Sequence, residues 1–138
     1  MSLFSKSKTI GVQSFIVKIV NNNCPELRDQ LDGPRLARRV NLTIAVAIVP
    51  LKEGSLQVEQ AFTAVTKEFS TSGLSLVLDT PLGLDEMLLG FRWEGELSYI
   101  RGKAKHLNPI GGGFYQLGIQ LLEMVAAGDY PELEQVCF

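Results

Sequence analysis

Histidine is almost missing from this chain: among 138 residues there is only His106, and cysteine occurs just twice, at Cys24 and Cys137. A metal centre would have to rest on carboxylates alone. Two thiols at opposite ends read as reduced and unrelated, because a disulfide scaffold or zinc site needs more cysteines at closer spacing. With a single imidazole no Ser/His/Asp or Cys/His set presents itself, so no catalytic residue, metal ligand or cofactor is expected and the chain reads as a non-enzyme. A surplus of positive charge is also lacking. Lys and Arg number 13 against 15 Asp and Glu, a net charge of −2, which argues against DNA, RNA or an anionic membrane surface as partner, since each requires a broad basic face. Long apolar runs are missing too: Phe15-Ile16-Val17-Lys18-Ile19-Val20 falls far short of the ~20 residues a membrane-spanning helix needs. The opening Met1-Ser2-Leu3-Phe4-Ser5-Lys6-Ser7-Lys8 holds neither a sustained apolar region nor a small-residue cleavage site, so cytoplasmic residence is the expectation.

What remains is ordinary material for a folded domain, 46% hydrophobic and 20% charged, enough to bury a core within one unit. Residues 9–20, rich in Ile, Val and Phe, suit a strand, with a short helix as the alternative. Asn21-Asn22-Asn23-Cys24-Pro25 and Asp32-Gly33-Pro34 break the chain after it. Residues 1–33 therefore read as an N-terminal extension and 34–138 as the main domain. From Val40 the pattern becomes β. Leu42, Ile44, Val46 and Ile48 alternate with Asn41, Thr43, Ala45 and Ala47, and Pro50 is expected to end that strand. A second run over 60–70 sets Thr63, Val65, Lys67 and Phe69 on one face and Ala64, Thr66, Glu68 and Ser70 on the other. A third opens at Gly73, with Leu74, Leu76 and Leu78 sharing a face. Further strands are expected over 86–93, 95–107 and 114–122, with a loop at Asn108-Pro109-Ile110-Gly111-Gly112-Gly113. Several short strands punctuated by turns point to a barrel or sandwich. The tail from Asp129 suits a short helix, with Pro131 in its first turn.

Two stretches carry chemistry. Pro34-Arg35-Leu36-Ala37-Arg38-Arg39-Val40 sets three guanidinium groups just before the first barrel strand. Each is permanently charged and planar, able to make paired hydrogen bonds to a phosphate or a guanine edge and to stack on a purine. A phosphorylated purine suits them, and so does plain solvent at a basic edge. Glu68-Phe69-Ser70-Thr71-Ser72-Gly73 joins two strands. Glu68 and Ser70, two apart, leave a strand on one face. The carboxylate accepts from a guanine N1/N2 edge and the hydroxyl serves a phosphate or amino group, while Gly73 supplies positive φ or room for a ligand to approach the backbone. An ordinary hairpin turn has the same composition.

Taken in order, these stretches resemble the PilZ domain family, marked by R-x-x-x-R before the first barrel strand and D/N-x-S-x-x-G on a later strand pair. Arg35 and Arg39 match the first motif, with Val40 following; Ser70 and Gly73 match the second, continued by Leu74-Ser75-Leu76. Leu89-Gly90-Phe91-Arg92-Trp93 and Leu117-Gly118-Ile119-Gln120-Leu121 look like the family's closing strands, so the resemblance spans roughly 34–122. It implies a mainly β fold, an antiparallel barrel of about six strands with a short C-terminal helix. The implied function is that of a bacterial receptor or adaptor for the second messenger cyclic di-GMP, bound on the outer surface by Arg35, Arg38, Arg39, Glu68, Ser70 and Gly73. A downstream protein partner and a homodimer are compatible with it. Glu68 departs from the family's Asp or Asn. The extra methylene threatens one hydrogen bond to a charged group, ~1.5–3 kcal/mol, and so bears on affinity more than fold.

The alternative is a barrel of the same type that has lost the nucleotide and serves as a protein–protein interaction module. An OB-like barrel for single-stranded nucleic acid ranks lower, since the aromatics alternate into core positions. Weaker signals read as structural. Gly111-Gly112-Gly113 lacks the Lys-Ser/Thr of a phosphate loop. Lys103, Lys105 and His106 read as a solvated strand face or a secondary phosphate contact. The carboxylate pairs Asp85/Glu86 and Glu94/Glu96 read as solvated turns.

Overall fold

Alternating side chains need an inside and an outside, and the sheet supplies both by closing on itself. The computed structural model describes residues 40–70, 72–93 and 95–135, with 11–12, 15–16, 18–19, 31–32 and 35–36 of the preceding segment. Ten strands follow in chain order. They are β1 (Leu31–Asp32), β2 (Arg35–Leu36), β3 (Val40–Asn41), β4 (Ala45–Lys52), β5 (Ser55–Leu56), β6 (Phe62–Phe69), β7 (Gly73–Leu78), β8 (Glu86–Trp93), β9 (Glu96–Gly111) and β10 (Phe114–Val125). Among the described residues β1 and β2 pair only with each other. The six longer strands form a ring in the order β4, β6, β7, β10, β9, β8 and back to β4, every pairing antiparallel. This is the mainly β, six-stranded antiparallel barrel expected from the sequence. Closure leaves no long edge for aggregation; β3 and β5 add two-residue ladders to β6 and β4.

The inside is filled as the alternation requires. Leu74, Leu76 and Leu78 of β7 point inward with Val46, Ile48 and Phe91. β4 is buried on both faces: Val49 and Leu51 lie outside the barrel with Leu56, Leu88, Tyr99 and Leu133 in a second cluster. That cluster is covered by the C-terminal tail, where the short helix takes the form of two 3-10 segments, Ala127–Asp129 and Pro131–Gln135.

Four expectations are corrected. The strand expected over 9–20 does not form: residues 11, 12, 15, 16, 18 and 19 are helical. Val12, Phe15, Ile16 and Ile19 recur at helical spacing, and all four are buried in the same core as the barrel's interior. Burying that stripe outweighs the β preference of Ile and Val. Phe15 meets Phe91 edge-on at 5.8 Å between ring centres. Pro50 does not end β4, which runs on to Lys52; its carbonyl still accepts the Gln57 N–H at 2.9 Å. Most of the expected loop at 108–113 is strand, because Gly112 and Gly113, at φ 65 and 84, turn the chain in two residues. In β6, finally, Phe69 does not share a face with Val65: it is fully buried while Val65 is exposed, and a bulge between Thr66 and Glu68 makes the switch.

Among the described residues no helix is long and apolar enough to cross a membrane, and no cluster of three or more His, Cys, Asp or Glu could hold a metal ion.

Candidate functional site

Four strands place side chains in one row across the outer surface. The ladder pairs Glu68 of β6 with Ser75 of β7, Ser75 with Gly118 of β10, and Gly118 with His106 of β9. Ser75 and Gly118 are the smallest members and sit in the middle, so the row is a trough with a low floor. It forms part of a depression of about 400 Å³ lined also by Ser70, Gly73, Lys105 and Gln116. Three of the six residues expected from the sequence, Glu68, Ser70 and Gly73, therefore share one concave surface.

Ser70 builds its rim. Its N–H donates to the Gly73 carbonyl at 2.8 Å, and its Oγ accepts the Gly73 N–H at 3.1 Å and the Ser72 N–H at 3.4 Å. The hydroxyl also lies 3.3 Å from the Gly73 carbonyl, to which it donates. A serine hydroxyl with this set is a turn-former. Gly73 does not take the positive φ that its position admitted. It is required by close approach: a Cβ there would stand 2.6 Å from the Ile119 carbonyl oxygen.

Arg35 lies in β2, its backbone paired with Asp32; Arg38 and Arg39 lie outside the described residues. The chain they belong to joins the barrel at β3, where Val40 pairs with Phe69 and Asn41 with Glu68. Sequence reasoning did not assign Ser75, Gln116 and Gly118 to a site. For Lys105 and His106 the sequence alone admits either a solvated strand face or a secondary phosphate contact.

Two bulges explain why. In β6, Thr66 pairs with Leu76 and Glu68 with Ser75, leaving Lys67 as the extra residue. In β9, Ala104 pairs with Ile119 and His106 with Gly118, leaving Lys105 as the extra residue. A bulge lets two adjacent side chains face outward, so Lys67 joins Glu68 and Lys105 joins His106. Lys67 Nζ donates to Gln116 Oε1 at 3.0 Å. The trace in sequence is a pair of adjacent polar residues interrupting an alternating strand, visible once it is looked for. His106 lies over Gly118 so closely that a Cβ on Gly118 would be 2.5 Å from its Nε2. Ser75 is buried at 6% exposure, and its Oγ has no hydrogen-bond partner among the described residues.

Away from the trough, one charge cluster is paired on the sheet. Arg101 holds Glu86 at 2.6 Å and Glu123 at 3.3 Å. Burial opposes the Arg101 charge, but these two carboxylates overcome it and raise its pKa. Glu86 is thus paired, where the sequence had it solvated.

No family model matches this chain, and no curated protein matches it. Among solved structures it is similar to the Bacillus subtilis inhibitor of motility MotI/DgrA, with 20% identity and a TM-score of 0.49 over 70% of this chain and 46% of that one. It is also similar to the PilZ domain of CeSA from a cellulose-synthesizing bacterium, with 19% identity and a TM-score of 0.44 over 71% of this chain and 92% of that one. The chain thus spans about half the length of the first.

Proposed function

We propose that this chain is a cytoplasmic receptor or adaptor module for cyclic di-GMP, with the dinucleotide bound on the outer face of the barrel. One observation carries the reading. Glu68, Ser70 and Gly73, singled out by motif spacing, line one depression, and β6 there pairs with β3, the strand that directly follows the arginine segment. In this reading Arg35, Arg38 and Arg39 clamp the ligand, pairing with phosphates and guanine edges and stacking on the bases. Glu68 accepts from a guanine N1/N2 edge. Ser70 holds the rim turn, and Gly73 keeps β7 tight against β10. The arginine segment orders around the ligand, and a downstream protein reads the resulting change in shape and charge.

Isothermal titration calorimetry with cyclic di-GMP tests this, on wild type and on Arg35→Ala/Arg39→Ala. The expected result is saturable heat that the double variant loses. Absence of heat in a folded wild type discards the messenger. It would favour the second reading, a protein-interaction barrel, for which the exposed Val65, Leu82 and Phe114 around an apolar groove are the supporting observation.

A further inference from the structure

In the proposed reading the arginine motif and Glu68 account for one side of the trough only. Its other side is β9, where nothing in the motifs points, yet three independent features converge there. The first is the bulge that turns Lys105 outward beside His106. On a chain of net charge −2, this sets an ammonium group next to an imidazole at the margin of a concave surface. The second is the floor. Ser75 and Gly118 present almost no side chain, and the buried hydroxyl of Ser75, one of the residues lining the depression, has no hydrogen-bond partner among the described residues. A buried hydroxyl left unpaired is costly, and a ligand able to bond it removes that cost. The third is width. Glu68 and His106 stand three strand spacings apart, ~14 Å, which suits two nucleotide units side by side better than one.

We propose that β9 is the second wall of the site. Lys105 and His106 take a phosphate of the cyclic dinucleotide, and the Ser75 hydroxyl at the floor donates to the same ligand. The imidazole that now lies over Gly118 moves aside to admit it. This rests on the cyclic di-GMP reading and extends it, since the arginine segment holds one half of the ligand and β9 the other. Lys67, the extra residue of the β6 bulge, is anchored on Gln116 and keeps the near margin basic.

The test is calorimetry with cyclic di-GMP on wild type, Lys105→Ala/His106→Ala, Ser75→Ala and, as a control for loss of one positive charge elsewhere, Lys52→Ala. Lys52 is exposed at the far end of β4. Expected is a loss of about tenfold or more for the Lys105/His106 variant, widening at low salt as screening falls. A smaller loss is expected for Ser75→Ala and none for Lys52→Ala. A wild type that binds while the Lys105/His106 and Ser75 variants bind equally well overturns the second wall and leaves the receptor reading standing. A wild type that gives no heat overturns both. Thermal melts of each unliganded variant show that a lost affinity is not a lost fold.

Discussion

At the scale of single residues, two glycines in the depression look alike in sequence and differ in what surrounds them. A methyl group on Gly73 meets backbone, the Ile119 carbonyl at 2.6 Å, and strand backbone cannot step aside without disturbing the β7–β10 ladder. Gly73→Ala should therefore destabilise the barrel by ~1–3 kcal/mol, read as a lower midpoint in urea. A methyl group on Gly118 meets first the ring of His106, the end of an exposed side chain that can rotate away. Gly118→Ala should cost clearly less than Gly73→Ala and displace the imidazole, seen as a shift of the His106 ring resonances by NMR. Equal costs at the two positions would mean that the ring is held in place by more than its contact with Gly118. The motif spacing marked Gly73 but not the contact that makes it necessary within the barrel. The neighbour that makes it necessary lies 46 residues away on another strand, as its position number and that of Ile119 show.

At the scale of elements, the informative case is the helical segment. Its β-branched composition favoured a strand, whereas its spacing, Val12, Phe15, Ile16 and Ile19, fitted a helix; the barrel core decided between them by offering those four side chains a place to be buried. Ile16, at 0% exposure, is the sharpest probe. Ile16→Ala should cost ~2–5 kcal/mol, measured by denaturant unfolding, and a cost below ~0.5 kcal/mol would show that the segment does not pack as described. On the opposite side of the sheet, burial raises the pKa of the Tyr99 phenol, with Arg92 acting against it. A raised pKa in the folded state means that its contribution to stability is complete below the unfolded phenol's pKa of ~10 and is lost as pH rises through the folded value. Wild type should thus lose thermal stability above about pH 10 more steeply than Tyr99→Phe, in melts across pH 8–11.5.

At the scale of the whole molecule, the helical residues and the barrel interior share one cluster of buried side chains, and unfolding should be a single cooperative event. Far-UV circular dichroism and tryptophan fluorescence from Trp93 should trace coincident denaturation curves; a first transition seen only in the helical signal would separate the two. Binding to the native state alone raises its midpoint, and at a hundredfold excess over Kd the added stability is ~2.7 kcal/mol. Cyclic di-GMP should raise the midpoint in wild type and leave it unmoved in Arg35→Ala/Arg39→Ala. With a net charge of −2, the molecule as a whole offers an anion no long-range attraction, so in the proposed reading the field that draws the ligand is local, set by the arginine segment and the two bulge lysines.

The sequence by itself determined where most of the barrel strands lie and much of the alternation that fills the barrel, because each depends on side chains two residues apart in one segment. It also placed Glu68, Ser70 and Gly73 together, since they are near neighbours in the chain. Only the tertiary structure decided what faces them. Which residue a bulge expels depends on how six strands register when the ring closes, and the ring joins β4 to β8 and β7 to β10 through pairings that no local pattern encodes. Lys105, His106, Ser75 and Gly118 come from three strands, and their meeting in one trough is a consequence of that register.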